Sequence, residues 1–150
     1  DTFEGFPSVS DKDVGAANVQ TKVGGLSSGY DVHAELLGLI GEYDESRYLN
    51  QFEKVFLVKG DACETIPRFV EELPYALVSL LFLDFDLYEP TKAALECLLP
   101  RMPKGAVLAF DELNNPWWPG ETLAALEHFN LNEKSINRFS FDPNISYIVL

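Results

Sequence analysis

The sequence predicts an α/β domain with a doubly wound, mostly parallel sheet that closes on an antiparallel hairpin. Three observations carry this. Helical and β-rich segments alternate along the chain, which is the order of a parallel sheet with helical crossovers. The apolar runs ALVSLLFLDFD (76–86) and KGAVLAFDE (104–112) each end on acids. Two β-rich segments, SINRFSF (135–141) and ISYIVL (145–150), stand at the end of the sequence with the turn DPN (142–144) between them.

Residues 1–30 hold Gly, Ser, Asp and Pro with little periodicity, so a loop with a short helix is expected; the stretch 8–30 reads as a mobile lid or a plain connection. From 31 to 49, Val32, Leu36, Leu37, Ile40 and Tyr43 recur at helical spacing, with Asp31 as N-cap. KVFLVKGD (54–61) is expected as a short strand ended by Gly60, and ETIPRFVEEL (64–73) as a helix. The run 76–86 is apolar almost throughout, as a central strand covered on both faces would be. EPTKAALECLLPRM (89–102) is a helix that tolerates Pro90 in its first turn. KGAVLAFDE is the next strand, PGETLAALEHFN (119–130) the next helix, and the closing pair a hairpin.

Residues 1–150 are enough for one domain with its own core. Acidic residues number 24 against 11 basic, a net charge of −13, which argues against nucleic acid and anionic membrane as partners. No apolar run has the length of a membrane span, and no signal peptide is visible. Cys63 and Cys97 read as reduced core cysteines of a cytoplasmic protein, and His33 and His128 as isolated histidines. The opening at Asp1, in DTFEGFP, suggests a fragment or a processed product.

In open α/β sheets ligands bind outside the carboxyl ends of the strands. Asp61, Asp84, Asp86, Asp111 and Glu112 all fall on that edge. Converging carboxylates repel unless a cation lies between them, and a hard ion such as Mg²⁺ suits oxygen ligands. Acids at such junctions can equally cap helices and face water.

LLFLDFD resembles the Asp-x-Asp motif of haloacid-dehalogenase-type phosphatases, but Leu87 and Tyr88 stand where that motif has Gly-Thr. A broader resemblance is to class I S-adenosylmethionine-dependent methyltransferases, specifically the macrocin O-methyltransferase-like family. It rests on Asp84-Phe85-Asp86-Leu87-Tyr88-Glu89-Pro90-Thr91, on the turn Met102-Pro103-Lys104-Gly105, and on Asp111-Glu112, with support from DTFEGFP and VKGDACETIP (58–67).

The resemblance implies a Rossmann-like sheet without the first βα unit and its glycine-rich loop. It implies S-adenosylmethionine as cofactor, with Asp1 accepting from the ribose hydroxyls and Gly60, Asp61 and Ala62 framing the adenine. Asp84, Asp111 and Glu112 would hold Mg²⁺. Asp86 would be the general base toward a hydroxyl of a small molecule or sugar. A sheet lacking that unit exposes an edge, which favours a homodimer or a truncated, non-catalytic, self-associating domain. Trp117 and Trp118, in NNPWWPGE, could form an acceptor wall or pack at the rim.

Overall fold

The computed structural model describes residues 1–16, 20–142 and 144–150. Its main elements are α1 (Val32–Ser46), α2 (Ala62–Glu72), β1 (Leu80–Leu83), α3 (Tyr88–Leu98), β2 (Val107–Phe110), α4 (Pro119–His128), β3 (Asn137–Arg138) and β4 (Ser146–Val149). The sheet order is β1-β2-β4-β3. β1 and β2 pair in parallel, with Leu80 opposite Val107 and Leu83 opposite Phe110. β4 runs antiparallel to both β2 and β3, so it alone opposes the common direction, and β3–β4 is the predicted hairpin. The predicted turn at 142–144 includes Pro143, and the predicted lid at 8–30 includes residues 17–19; these lie outside the described residues.

The core forms where the apolar faces of this sheet and its helices meet. Leu83 of β1, Leu108 and Phe110 of β2 and Ile148 of β4 pack with Ala94 and Leu95 of α3 and Ala124 and Ala125 of α4. α3 lies against both α2 and α4. Small residues in α3 and α4 allow the close approach that burial of this apolar surface rewards. Gly120 marks a close approach of the two helices: a Cβ there would stand 2.5 Å from the Tyr88 nitrogen.

Caps follow the expected chemistry. Asp31 accepts from Ala34 N–H at 2.9 Å and Asp61 from Cys63 N–H at 2.9 Å. α1 is a surface helix with no buried residue. The opening segment holds a 3-10 turn at Asp11–Asp13. Asp13 is 1% exposed. It accepts hydrogen bonds from Ser10 N–H and Oγ–H and from Tyr88 N–H. The hydrogen bond from Ala16 N–H to the Pro116 carbonyl, 3.0 Å, adds a second anchor. Residues 10–16 are therefore tied to the domain.

Two expectations are corrected. Residues 54–61 are not a strand: a strand is defined by its ladder, and no neighbouring strand lies beside them among the described residues. Their backbone is instead tied to the chain start, through the Asp1 amino group donating to the Val58 carbonyl and Gly60 N–H to the Asp1 carbonyl. The run 76–86 yields only four strand residues, and these form an edge rather than a central strand. Leu80 is 61% and Phe82 46% exposed, where coverage on both faces was expected. Among the described residues no helix is long and apolar enough to cross a membrane.

Candidate active site

The chain leaves β1 at Leu83 and turns into α3 through Asp84-Phe85-Asp86-Leu87. Asp86 takes a left-handed backbone, φ 61°, an uncommon conformation for a residue other than glycine. A cavity of about 420 Å³ opens beside this turn. Its volume lies within the range typical of small-molecule sites. Asp84, Phe85, Asp86 and Leu87 form one wall. Gly60, Asp61, Ala62 and Cys63, at the start of α2, form another. The opening segment, through Asp1, Phe3 and Phe6, and the first turns of α1, through Val32 and Leu36, complete it. Gly60 has φ +143°, and a Cβ there would stand 2.8 Å from Thr65 Cγ2, so glycine lets the backbone itself line the site.

The structure thus brings Asp1, Gly60, Asp61, Ala62, Asp84 and Asp86 to one cavity, and leaves Asp111 and Glu112 outside its lining. Each of Asp1 and Asp61 already uses a carboxylate oxygen locally, on Phe3 N–H and Cys63 N–H. The second oxygen of each is the group left for a ligand. Cys63 is a free thiol pushed up to about 11, first by burial and then by the nearby Asp61 carboxylate.

The acids after β1 and β2 feel one another. Burial, then the charges of Asp84, Glu112 and Asp111, push the Asp86 carboxyl up to about 7. Asp111 is raised by burial and by Asp84, Glu112 and Asp142. Hard oxygen donors are the right chemistry for Mg²⁺. Yet among the described residues no group of three or more His, Cys, Asp or Glu side chains is disposed to hold a metal ion. Glu112 Oε2 instead accepts a hydrogen bond from Asn115 Nδ2. Asp84, Asp111 and Glu112, expected as Mg²⁺ ligands, are thus not grouped as a metal site among the described residues.

Glu121 escaped the sequence reading. It is 0% exposed. Oε1 accepts from Glu112 N–H at 3.1 Å, and Oε2 has no partner among the described residues. Burial pushes it up to about 8, with Asp111, Asp86 and Glu112 adding to the rise. An acid in the first turn of a helix reads in sequence as an exposed complement to the helix dipole, so no signal marked this one. Of the two tryptophans, Trp118 packs edge-on against Phe6, ring centroids 5.7 Å apart, while Trp117 is exposed.

The sheet, its crossovers and a cavity at the carboxyl end of β1 define a methyltransferase fold of the class I S-adenosylmethionine-dependent type, and the chain is a methyltransferase-like protein of that class. Its likeness is to O-methyltransferases. The crystal structure of CalS11, described as a calicheamicin methyltransferase, superposes on 99% of the chain with a TM-score of 0.92 at 35% identity. An apo structure of CalS11, described as a TDP-rhamnose 3'-O-methyltransferase of calicheamicin biosynthesis, matches 78% of the chain with a TM-score of 0.74 at 36% identity. The O-methyltransferase NovP shares the fold, with a TM-score of 0.70 at 22% identity over 99% of the chain. The chain spans 58%, 50% and 57% of the lengths of those three chains. No protein-family model and no curated protein sequence matches it.

Proposed function

We propose that the chain forms the acid-lined part of the site of an S-adenosylmethionine-dependent O-methyltransferase acting on a hydroxyl of a small molecule or sugar. The observation that carries this reading is the convergence of Asp1, Gly60, Asp61, Ala62, Asp84 and Asp86 on one cavity. The likeness to CalS11 and NovP supports it. The cavity suits the cofactor in volume and in side-chain charge: no Lys, Arg or His lines it, and the charged side chains in its lining are the carboxylates of Asp1, Asp61, Asp84 and Asp86.

When bound, the cofactor supplies an electrophilic methyl group on a positively charged sulfur. The free carboxylate oxygen of Asp1 is the acceptor for ribose hydroxyls, and that of Asp61 for the adenine amino group. Phe3, Phe6 and Phe85 give the cavity its aromatic surface. Asp86, in the wall of the cavity, would take the proton from the acceptor's hydroxyl. Burial suits it to that task, because a base poised near neutrality is both unprotonated enough and basic enough.

Calorimetry with S-adenosylhomocysteine, with and without Mg²⁺, tests the cofactor site. Binding is expected, and Asp61→Ala should weaken it. Asp86→Asn should retain binding and lower methyl transfer by about 10²- to 10⁴-fold. No heat under either condition would favour a self-associating domain without catalysis. Heat only with Mg²⁺ would show that the ion rearranges the acids.

A further inference from the structure

The turn that carries Asp86 has a sparsely populated backbone conformation. Asp86 is left-handed, at φ 61°, and the next residue, Leu87, is extended, at φ −104° and ψ 151°. A left-handed residue with a side chain persists where its surroundings determine it. This turn is clamped at both flanks. On the β1 side, the Leu83 carbonyl accepts from Asp111 N–H at 3.0 Å. On the α3 side, the Leu87 carbonyl accepts from Thr91 Oγ1–H at 2.7 Å. Next to it, Tyr88 N–H donates to Asp13 Oδ1 at 2.6 Å.

The first two clamps belong to the sheet and to α3 itself. The third crosses from the opening segment, and the side chain that makes it is firmly held. Ser10 N–H and Oγ–H both donate to Asp13 Oδ2 at 2.7 Å, while Oδ1 takes the Tyr88 donor. Gly120 leaves the carboxylate its seat: a Cβ there would collide with Asp13 Oδ1, the Tyr88 nitrogen and the Leu87 carbonyl carbon. Leu87, at the N-cap, has no acceptor to offer, so the first turn of α3 depends on this outside group. Phe6 and Ser8, a few residues before Asp13, line the same cavity as Asp86. One stretch of chain thus borders the cavity and holds the turn that brings Asp86 to it.

We propose that Asp13 is a positioning residue for Asp86: by securing the first turn of α3 it fixes the turn before it and keeps the Asp86 carboxylate in the cavity wall. Asp13 lies outside the cavity lining and acts through the backbone. Once the Tyr88 clamp opens, the start of α3 can unwind and Asp86 can relax to negative φ, which swings its carboxylate away. A base out of hydrogen-bond reach of the acceptor loses the proton transfer, whatever its basicity. In calling Asp86 the base, the inference rests on the methyltransferase reading. The positioning itself can be tested apart from it.

The test is NMR on the ¹⁵N,¹³C-labelled chain. At positive φ a residue's own amide and α protons lie closer than in a helix or strand, so the cross-peak between them is strong. The parent should show it at Asp86 and at Leu49, φ 60°, which serves as internal control. Asp13→Ala should lose the Asp86 cross-peak and keep that of Leu49. Asp13→Asn, which retains Oδ1, should keep both. General destabilisation does not produce that pattern. Where Asp13→Ala fails to fold, Ser10→Ala, which removes one of the donors that hold Oδ2, should weaken the Asp86 cross-peak alone.

Four results would overturn the inference: no strong Asp86 cross-peak in the parent, an undiminished one in Asp13→Ala, an undiminished one in Ser10→Ala, or equal loss in Asp13→Ala and Asp13→Asn. Calorimetry of the parent with S-adenosylhomocysteine keeps the two readings apart. Binding, together with an Asp86 that ignores Asp13, leaves the methyltransferase reading standing without the positioning. An Asp86 that depends on Asp13 in a chain that does not bind S-adenosylhomocysteine keeps the positioning and removes the role of base.

Discussion

Glu121 shows how one side chain can set a pH dependence. Its ordinary value is 4.5, and in the folded chain it stands at about 8. Between those values the folded state holds a proton that the unfolded state has lost. Unfolding then releases a proton, so stability falls as pH rises through the window. Above it, a charged carboxylate is buried with Oε2 unpartnered. Glu121→Gln keeps an acceptor for Glu112 N–H and removes the ionisation. Its thermal stability should vary less between about pH 5 and pH 8, and exceed the parent's by about 2 kcal/mol above the window. Calorimetric melts across that range check this; parallel curves for the two proteins would show that Glu121 does not titrate with folding.

At the scale of elements, α3 begins without a cap of its own. Leu87 stands at its N-cap and offers no side-chain acceptor. Asp13 fills the role from outside, its Oδ1 2.6 Å from Tyr88 N. Lys12 adds a cation over the ring of the buried Tyr88 and an exposed ion pair with Glu127, the latter worth little. Asp13→Ala leaves the Tyr88 and Ser10 donors unpaired in a buried place and should cost about 2–4 kcal/mol, read as a lower midpoint in urea. Asp13→Asn keeps Oδ1 for Tyr88 and should lose less. Equal losses in the two variants would show that the charge, not the cap, matters.

Helices were legible in the sequence because their signals are local. The periodicity of 31–49, the Asp31 cap and Pro90 in a first turn need no knowledge of neighbours. Strands were legible only where a partner exists. The apolar run LLFL became a strand because β2 lies beside it, and KVFLV did not because its ladder is absent from the described residues. The site divides in the same way. Asp84 and Asp86 stood out as charges at the end of an apolar run, and the cavity holds both. Asp13 and Glu121 carry no pattern, since their burial comes from parts of the chain far away in sequence.

For the whole molecule, the open side of the sheet matters most. Val107 N–H bonds to the Ser79 carbonyl and Asp111 N–H to the Leu83 carbonyl, so the odd residues of β1 face β2. The peptide groups of Leu80 and Phe82 face outward, beneath exposed apolar side chains. Val55, Phe56 and Val58 are exposed as well. Such an edge is a template for another strand, and the chain by itself should self-associate. Sedimentation velocity should show oligomers that Leu80→Lys with Phe82→Lys shifts toward monomer. Identical profiles for the two proteins would clear the edge of that role.

The bond from Tyr88 to Asp13 spans 75 residues. Closing so long a loop precedes any gain from it, whereas the turns of α3 can form from contacts within the helix. The helix can therefore exist before its first turn is secured. Its start would fray and re-form until the opening segment docks, and the Tyr88 amide would be shielded from solvent exchange only at that moment. One backbone proton thus serves as a clock for the arrival of the chain's beginning at its core.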